Sequence, residues 1–69
     1  MKKCIYKVLK NSLINNMVTY EQLADAANIS LPNLDKKLSG KEPFYPNEAK
    51  SIQLTLFEGI PLDVLFSTK

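Results

Sequence analysis

Apolar side chains recur every three or four residues along most of the chain, which is the spacing of an amphipathic helix. The pattern predicts five helices, with expected bounds of about 3–15, 20–27, 31–38, 46 to just before Gly59, and 62–66. No stretch alternates apolar and polar residues as a half-buried strand does. Five helices with short connections indicate a compact all-α bundle.

The segment from Thr19 to Gly40 carries the clearest local signals. Thr19 can cap the second helix, because its hydroxyl can accept a backbone N–H that has no partner within the helix. Asn28 tolerates the left-handed conformation that ends a helix, and Ser30 can cap the next one. Pro32 is acceptable only in a first helical turn. These signals predict two short helices joined by a tight turn, the outline of a helix-turn-helix.

The leucine stripes predict a core rather than a ligand site, because apolar residues at helical spacing usually pack inside a domain. The residues assigned to the core on this basis are Leu23, Leu34, Leu38, Ile52 and Leu65.

Composition sets the class of protein. With 69 residues the chain has room for one domain, expected to span residues 1–69, and 45% hydrophobic with 23% charged residues is ordinary for a globular fold. One cysteine, Cys4, and no histidine permit neither an internal disulfide nor a metal-ligand cluster. No apolar run is long enough to span a bilayer. These features predict a cytoplasmic protein that uses no cofactor and is not an enzyme.

The charge is mildly basic, at +2, and every cationic residue is a lysine. Two groups stand out: Lys2, Lys3, Lys7 and Lys10 near the start, and Lys36, Lys37 and Lys41 at the end of the helix-turn-helix segment. This distribution allows a basic side on the domain, although arginine, the usual residue for bidentate phosphate or guanine contacts, is missing.

Three segments together resemble the lambda-repressor-like helix-turn-helix domains of Cro and xre-type transcription regulators. TYEQLADAANIS is similar to the family's capped second helix and turn, and LPNLDKKLSGK is similar to its recognition helix. EAKSIQLTLFEGIPLDVLF resembles its last two helices. The resemblance covers nearly the whole chain, and the closing segment is more specific than the helix-turn-helix pattern alone.

The resemblance implies a small regulator of the kind found in phages and mobile elements, which binds a double-stranded DNA operator, with helix 31–38 in the major groove. Binding as a homodimer to a two-fold site is implied as well. Tyr20 stands where many relatives have a phosphate-binding glutamine. The implied DNA-binding residues are Tyr20, Ser30, Leu31, Pro32, Asn33, Lys36, Lys37 and Lys41.

The chain departs from the family pattern at the start of that helix. Leu31 and Pro32 have no side-chain hydrogen-bonding groups, so they can contact a thymine methyl or respond to DNA shape. Lys36 is then the candidate for guanine and Asn33 the candidate for adenine. The apolar pair also suits an alternative, a helix-turn-helix module that binds another protein, such as an antirepressor or a phage-encoded inhibitor.

Two groups of residues are candidates for self-association. They are the segment from Leu62 to Phe66 and the aromatic pair Phe44 and Tyr45. The competing interpretation places these side chains in the core of the monomer, since a domain of this size needs most of its apolar residues for itself.

Overall fold

A computed structural model describes residues 3–68, and within that range it contains five helices and no strand. The helices are α1 (Lys7–Ile14), α2 (Tyr20–Ala27), α3 (Leu31–Leu38), α4 (Pro46–Leu56) and α5 (Leu62–Leu65). The prediction of an all-α fold is confirmed. Lys2, assigned above to the first lysine group, lies outside the described residues.

The first helix begins at Lys7, later than its apolar spacing predicts. Tyr6 has extended backbone angles and provides no side-chain cap. The residues before it instead follow the end of α3, where the Ile5 N–H donates to the Leu38 carbonyl at 2.9 Å. That carbonyl belongs to the last turn of a helix and has no partner within it, so the extended segment satisfies a group that a longer α1 would leave unpaired.

The predicted caps of α2 are confirmed. The Thr19 hydroxyl accepts from the Gln22 N–H at 3.1 Å, and the Gln22 side chain accepts from the Thr19 N–H at 2.9 Å. This reciprocal pair is a capping box. Asn28 ends the helix in the left-handed region, with φ 58° and ψ 45°. The turn to α3 is therefore built from local side-chain chemistry.

The start of α3 also follows the sequence prediction. Ser30 lies just before the helix and its hydroxyl accepts from the Asn33 N–H, at a long 3.4 Å, and Pro32 falls in the first turn. Together with the cap at Thr19, this fixes two eight-residue helices separated by residues 28–30.

The core lies where the helices meet, and every residue that the leucine stripes assigned to it is buried. Helix α2 contacts both α3 and α4, and the Ser51 hydroxyl on α4 donates to the Ala26 carbonyl on α2. The largest fully buried side chains are Leu9, Leu23, Leu34, Leu38, Ile52 and Leu65. The small side chains of Ala24 and Ala27 let the helices approach closely.

Three aromatic rings pack against one another and against the core. Tyr6 precedes α1, Phe44 precedes α4 and Phe66 follows α5, and their ring centroids lie 5.1 to 5.6 Å apart. These separations and tilted orientations are favourable for aromatic pairs. The cluster joins three segments that are distant in sequence. Between residues 3 and 68, no helix is both long and apolar enough to cross a membrane.

Candidate nucleic-acid interface

Helix α3 is buried on one side and open on the other. Leu34 and Leu38 are 0% and 1% exposed. The residues that point away from them are exposed, because positions 32, 33 and 36 lie on the opposite side of a helix with 3.6 residues per turn. With Leu31, which is 46% exposed, these residues form what we call the α3 outer face: Leu31, Pro32, Asn33 and Lys36.

The chemistry of the α3 outer face is mixed. Asn33 offers an amide that can both donate and accept, and Lys36 offers an ammonium group. Leu31 and Pro32 add apolar surface at the first turn. Ser30, also exposed, uses its hydroxyl to accept the Asn33 N–H. The face can therefore make a few directional polar contacts beside an apolar patch.

A small positive region continues past the end of α3. Lys41 is exposed, and its N–H donates to the Lys36 carbonyl at 2.9 Å, so the two lysines belong to one turn. The hydrogen bond from the Ile5 N–H to the Leu38 carbonyl brings the segment that carries the exposed Lys3 alongside the end of α3. Glu42, whose N–H reaches the same Lys36 carbonyl at 3.3 Å, partly offsets this charge. The segment that carries Lys3 and the end of α3 thus lie near each other.

Lys37 does not belong to this surface, and the expectation that it contacts DNA does not fit its position. Only 5% of the residue is exposed. Its ammonium group lies 3.0 Å from the Glu48 carboxylate, donates to the Pro43 carbonyl at 3.0 Å and sits 4.4 Å from the centre of the Tyr45 ring. An ammonium group that is enclosed in this way cannot reach a phosphate.

A signal for the burial of Lys37 was present in the sequence. Position 37 is three residues after Leu34 and one before Leu38, so it lies on the core side of the helix, whereas Lys36 lies outside. Glu48, its partner, was missed because the pairing joins residues from two helices. Glu48 also accepts the Tyr45 N–H at 3.0 Å at the start of α4.

Tyr20 is not placed to bind phosphate. Its hydroxyl oxygen is buried and has no hydrogen-bond partner among the described residues. The next residue, Glu21, is exposed and puts a negative charge in the first turn of α2. The enclosed hydroxyl and the neighbouring carboxylate both disfavour the expected phosphate contact.

The candidates for self-association divide between the core and the surface. Leu65 is fully buried, and Phe44 and Phe66 pack in the aromatic cluster. Leu62 and Val64 remain 37% and 47% exposed on α5, and Tyr45 is 57% exposed. Any contact between copies of the protein through this region would use Leu62, Val64 and Tyr45.

Cys4 is a buried side chain with little chemical reactivity. Its thiol donates to the Tyr6 carbonyl at 3.5 Å, and burial raises the pKa of the thiol above its ordinary value. A raised pKa leaves less thiolate at neutral pH, which makes the side chain a poor nucleophile. Among residues 3–68, no three histidine, cysteine or acidic side chains group as metal ligands would.

Comparison with known proteins gives no significant match to a family model, a curated protein or a solved structure.

Proposed function

We propose that this protein is a sequence-specific DNA-binding regulator of the lambda-repressor-like, Cro or xre type, and that α3 is its recognition helix. The observation that carries the proposal is the α3 outer face. A helix held in the domain by Leu34 and Leu38 presents its first turn to solvent, preceded by a capped helix and a tight turn. That is the arrangement in which a helix-turn-helix presents its second helix to the major groove.

Base contacts are assigned to the two polar residues of the face. Asn33 can pair with the N6 and N7 edge of adenine, and Lys36 can donate to O6 and N7 of guanine. Leu31 and Pro32 contact thymine methyl groups. Phosphate contacts, which would set the register on the duplex, are assigned to Lys41 and the backbone near Ser30.

Selection of bound duplexes from a random DNA pool tests this proposal, followed by titration of the selected sequence. We expect Lys36→Ala and Asn33→Ala each to weaken binding by about tenfold, and to relax preference at the base they contact. Lys50→Ala is the matched control, because Lys50 is an exposed lysine on α4 and not on the α3 outer face. If no sequence is enriched and Lys36→Ala matches Lys50→Ala, the proposal is wrong.

Binding as a homodimer is part of the proposal. Leu62 and Val64 supply exposed apolar surface on α5, and Leu54 on α4 is 58% exposed. Helices α4 and α5 contact each other, so the three residues belong to neighbouring elements. Sedimentation with and without DNA measures the association, and Val64→Asp should weaken it because it buries a charge at the contact. A wild-type monomer that binds a single half-site would remove the dimer from the proposal.

The exposed Leu31 and Pro32 support a second candidate, recognition of a protein partner through the same face. Apolar side chains in the centre of a contact favour protein interfaces, and local charge is modest. Under this alternative, Leu31→Ser would abolish capture of the partner from nuclease-treated extract, while Lys36→Ala would have little effect. A larger loss of binding in Lys36→Ala than in Leu31→Ser would favour DNA recognition.

A further inference from the structure

Lys37 near the end of α3 and Glu48 in the first turn of α4 form a polar connection between the two helices. The residues are 5% and 8% exposed, and the ammonium and carboxylate groups are 3.0 Å apart. A charged group this well buried is strongly destabilising if its partner is removed. Replacing one residue of the pair should therefore destabilise the protein more than replacing both with apolar residues.

The pair connects three segments rather than two. Lys37 lies near the end of α3 and donates to the Pro43 carbonyl in the loop that follows. The Glu48 oxygen that lies 3.0 Å from the Lys37 ammonium group also accepts a hydrogen bond from the N–H of Tyr45, the residue just before α4. One carboxylate oxygen thus joins the end of α3, the 41–45 loop and the first turn of α4.

These contacts add a directional restraint to the orientation of α3. Leu34 and Leu38 hold the helix against the core by non-directional apolar contacts. A hydrogen-bonded ion pair depends on distance and angle. Helix α3 has eight residues, about 12 Å in length, so a small tilt at the Lys37 end displaces Leu31 and Asn33 at the other end.

We propose that the Lys37–Glu48 pair sets the orientation of α3, and that Lys37 is a positioning residue for base recognition that makes no contact with DNA. This inference rests on the proposed DNA-binding function. It assigns adjacent lysines opposite tasks: Lys36 contacts the nucleic acid, and Lys37 orients the helix that carries Lys36.

The test compares full-length variants at each position, with DNA from the random-pool selection and a scrambled duplex as the non-specific probe. The set is Lys37→Met, Lys36→Met, Lys50→Met, Glu48→Gln and the double variant Lys37→Met/Glu48→Leu. Three quantities are measured for each: the Tm, the slope of log affinity against log salt, and the ratio of specific to non-specific affinity. Affinities are taken at a temperature where circular dichroism shows the variant to be folded.

We expect Lys36→Met to keep the Tm and to reduce the salt slope by about 0.9, because one phosphate or base contact by a cation is lost. Lys37→Met should leave the salt slope unchanged, lower the Tm by about 10 °C or more, and reduce the specificity ratio at least about tenfold. Lys50→Met should match the wild type in all three.

The double variant separates positioning from stability. Two apolar side chains leave no buried charge, so most of the Tm should return, while the specificity ratio stays low because the directional contact is missing. If Lys37→Met does not fold, Glu48→Gln and the double variant carry the same comparison.

Three results would overturn the inference. A salt slope that falls in Lys37→Met as in Lys36→Met would make Lys37 a DNA contact. Recovery of both the Tm and the specificity ratio in the double variant would leave the pair a role in stability alone. A wild-type protein that prefers no DNA sequence would overturn the proposed function together with this inference, whereas the first two results leave the proposed function intact.

Discussion

The two ends of α3 differ in almost every respect. At the first turn, Leu31, Pro32 and Asn33 are exposed and the cap from Ser30 is long, at 3.4 Å. At the last turn, Leu38 is buried, its carbonyl accepts the Ile5 N–H, and the adjacent Lys37 is paired with Glu48. The difference shows how eight residues can both be fixed and present a surface: one end is anchored in the domain and the other is exposed.

The largest expected effect comes from shortening the Leu38 side chain at the anchored end of α3. Leu38→Ala removes most of a side chain that is 1% exposed and leaves a cavity, which should cost about 2–5 kcal/mol in the free energy of unfolding. Leu31→Ala is the control at the open end and should change it by roughly 0.5 kcal/mol or less. Urea denaturation followed by circular dichroism measures both. Equal losses would mean that the two ends are held alike.

Gly40, just past the anchored end, provides the next test. Its φ is +87°, and an added Cβ would lie 2.9 Å from Ile5 Cδ1. Gly59 has a similar φ of +93° with no atom within 4 Å of the added Cβ, so Gly59→Ala measures the backbone strain alone, about 1–2 kcal/mol. Because Cδ1 is the far end of a side chain that can shift, we expect Gly40→Ala to cost only slightly more, by roughly 0.5 kcal/mol.

The Gly40 result can be assigned to one atom. Ile5→Val removes Cδ1, so in the Gly40→Ala background it should return most of the difference between the two glycine variants. If the two variants are equally destabilised from the start, the segment before α1 does not press on the end of α3.

Alkaline pH should lower the free energy of unfolding through groups in the segment before α1. Burial raises the pKa of Cys4, and burial together with the nearby Cys4 raises the pKa of Tyr6. Above the ordinary thiol pKa, the unfolded chain releases a proton that the folded chain retains, so the free energy of unfolding falls as pH rises from about 8 to 10. Denaturation at several pH values measures the slope, and Cys4→Ala should reduce it. An unchanged slope in Cys4→Ala would exclude the thiol as a source.

The smallest expected effect concerns the open end. Ser30→Ala removes a cap with a long hydrogen bond, which should cost about 0.5 kcal/mol, at the lower end for such caps. Thr19→Ala breaks a capping box with bonds of 2.9 and 3.1 Å and should cost about 1 kcal/mol. Thermal denaturation of the two variants side by side gives the ranking. A larger loss for Ser30→Ala would show that the first turn of α3 is more tightly held than its geometry indicates.

Sequence reasoning succeeded in the helix-turn-helix segment, where the signals act locally, whereas α4 ends at Leu56, before the stop predicted at Gly59. Thr19, Asn28 and Pro32 determine helix ends through their own backbone and hydroxyl chemistry, and the bounds of α2 and α3 followed from them. The start of α1 could not be predicted in this way, because it depends on a carbonyl that residue 38 supplies.

The candidate site was predicted less completely for the same reason. Asn33 and Lys36 are exposed as their helical positions require. Lys37 was misplaced because its partner is on another helix, and Tyr20 because the burial of a hydroxyl is decided by neighbours from elsewhere in the chain. The spacing from Leu34 puts Lys37 on the core side of α3, but tertiary packing decides whether a long, amphipathic side chain at such a position is enclosed or reaches solvent.

The aromatic cluster has a consequence for the order in which the domain assembles. Contact between Tyr6 and Phe66 closes nearly the whole described chain into a loop, and the entropy lost in closing a loop increases with its length. Helices α2 and α3 meet across only a short turn. We therefore expect the α2–α3 unit to form early in folding and the aromatic closure to form late, so that α1 and α5 are the first elements to detach when the protein opens locally.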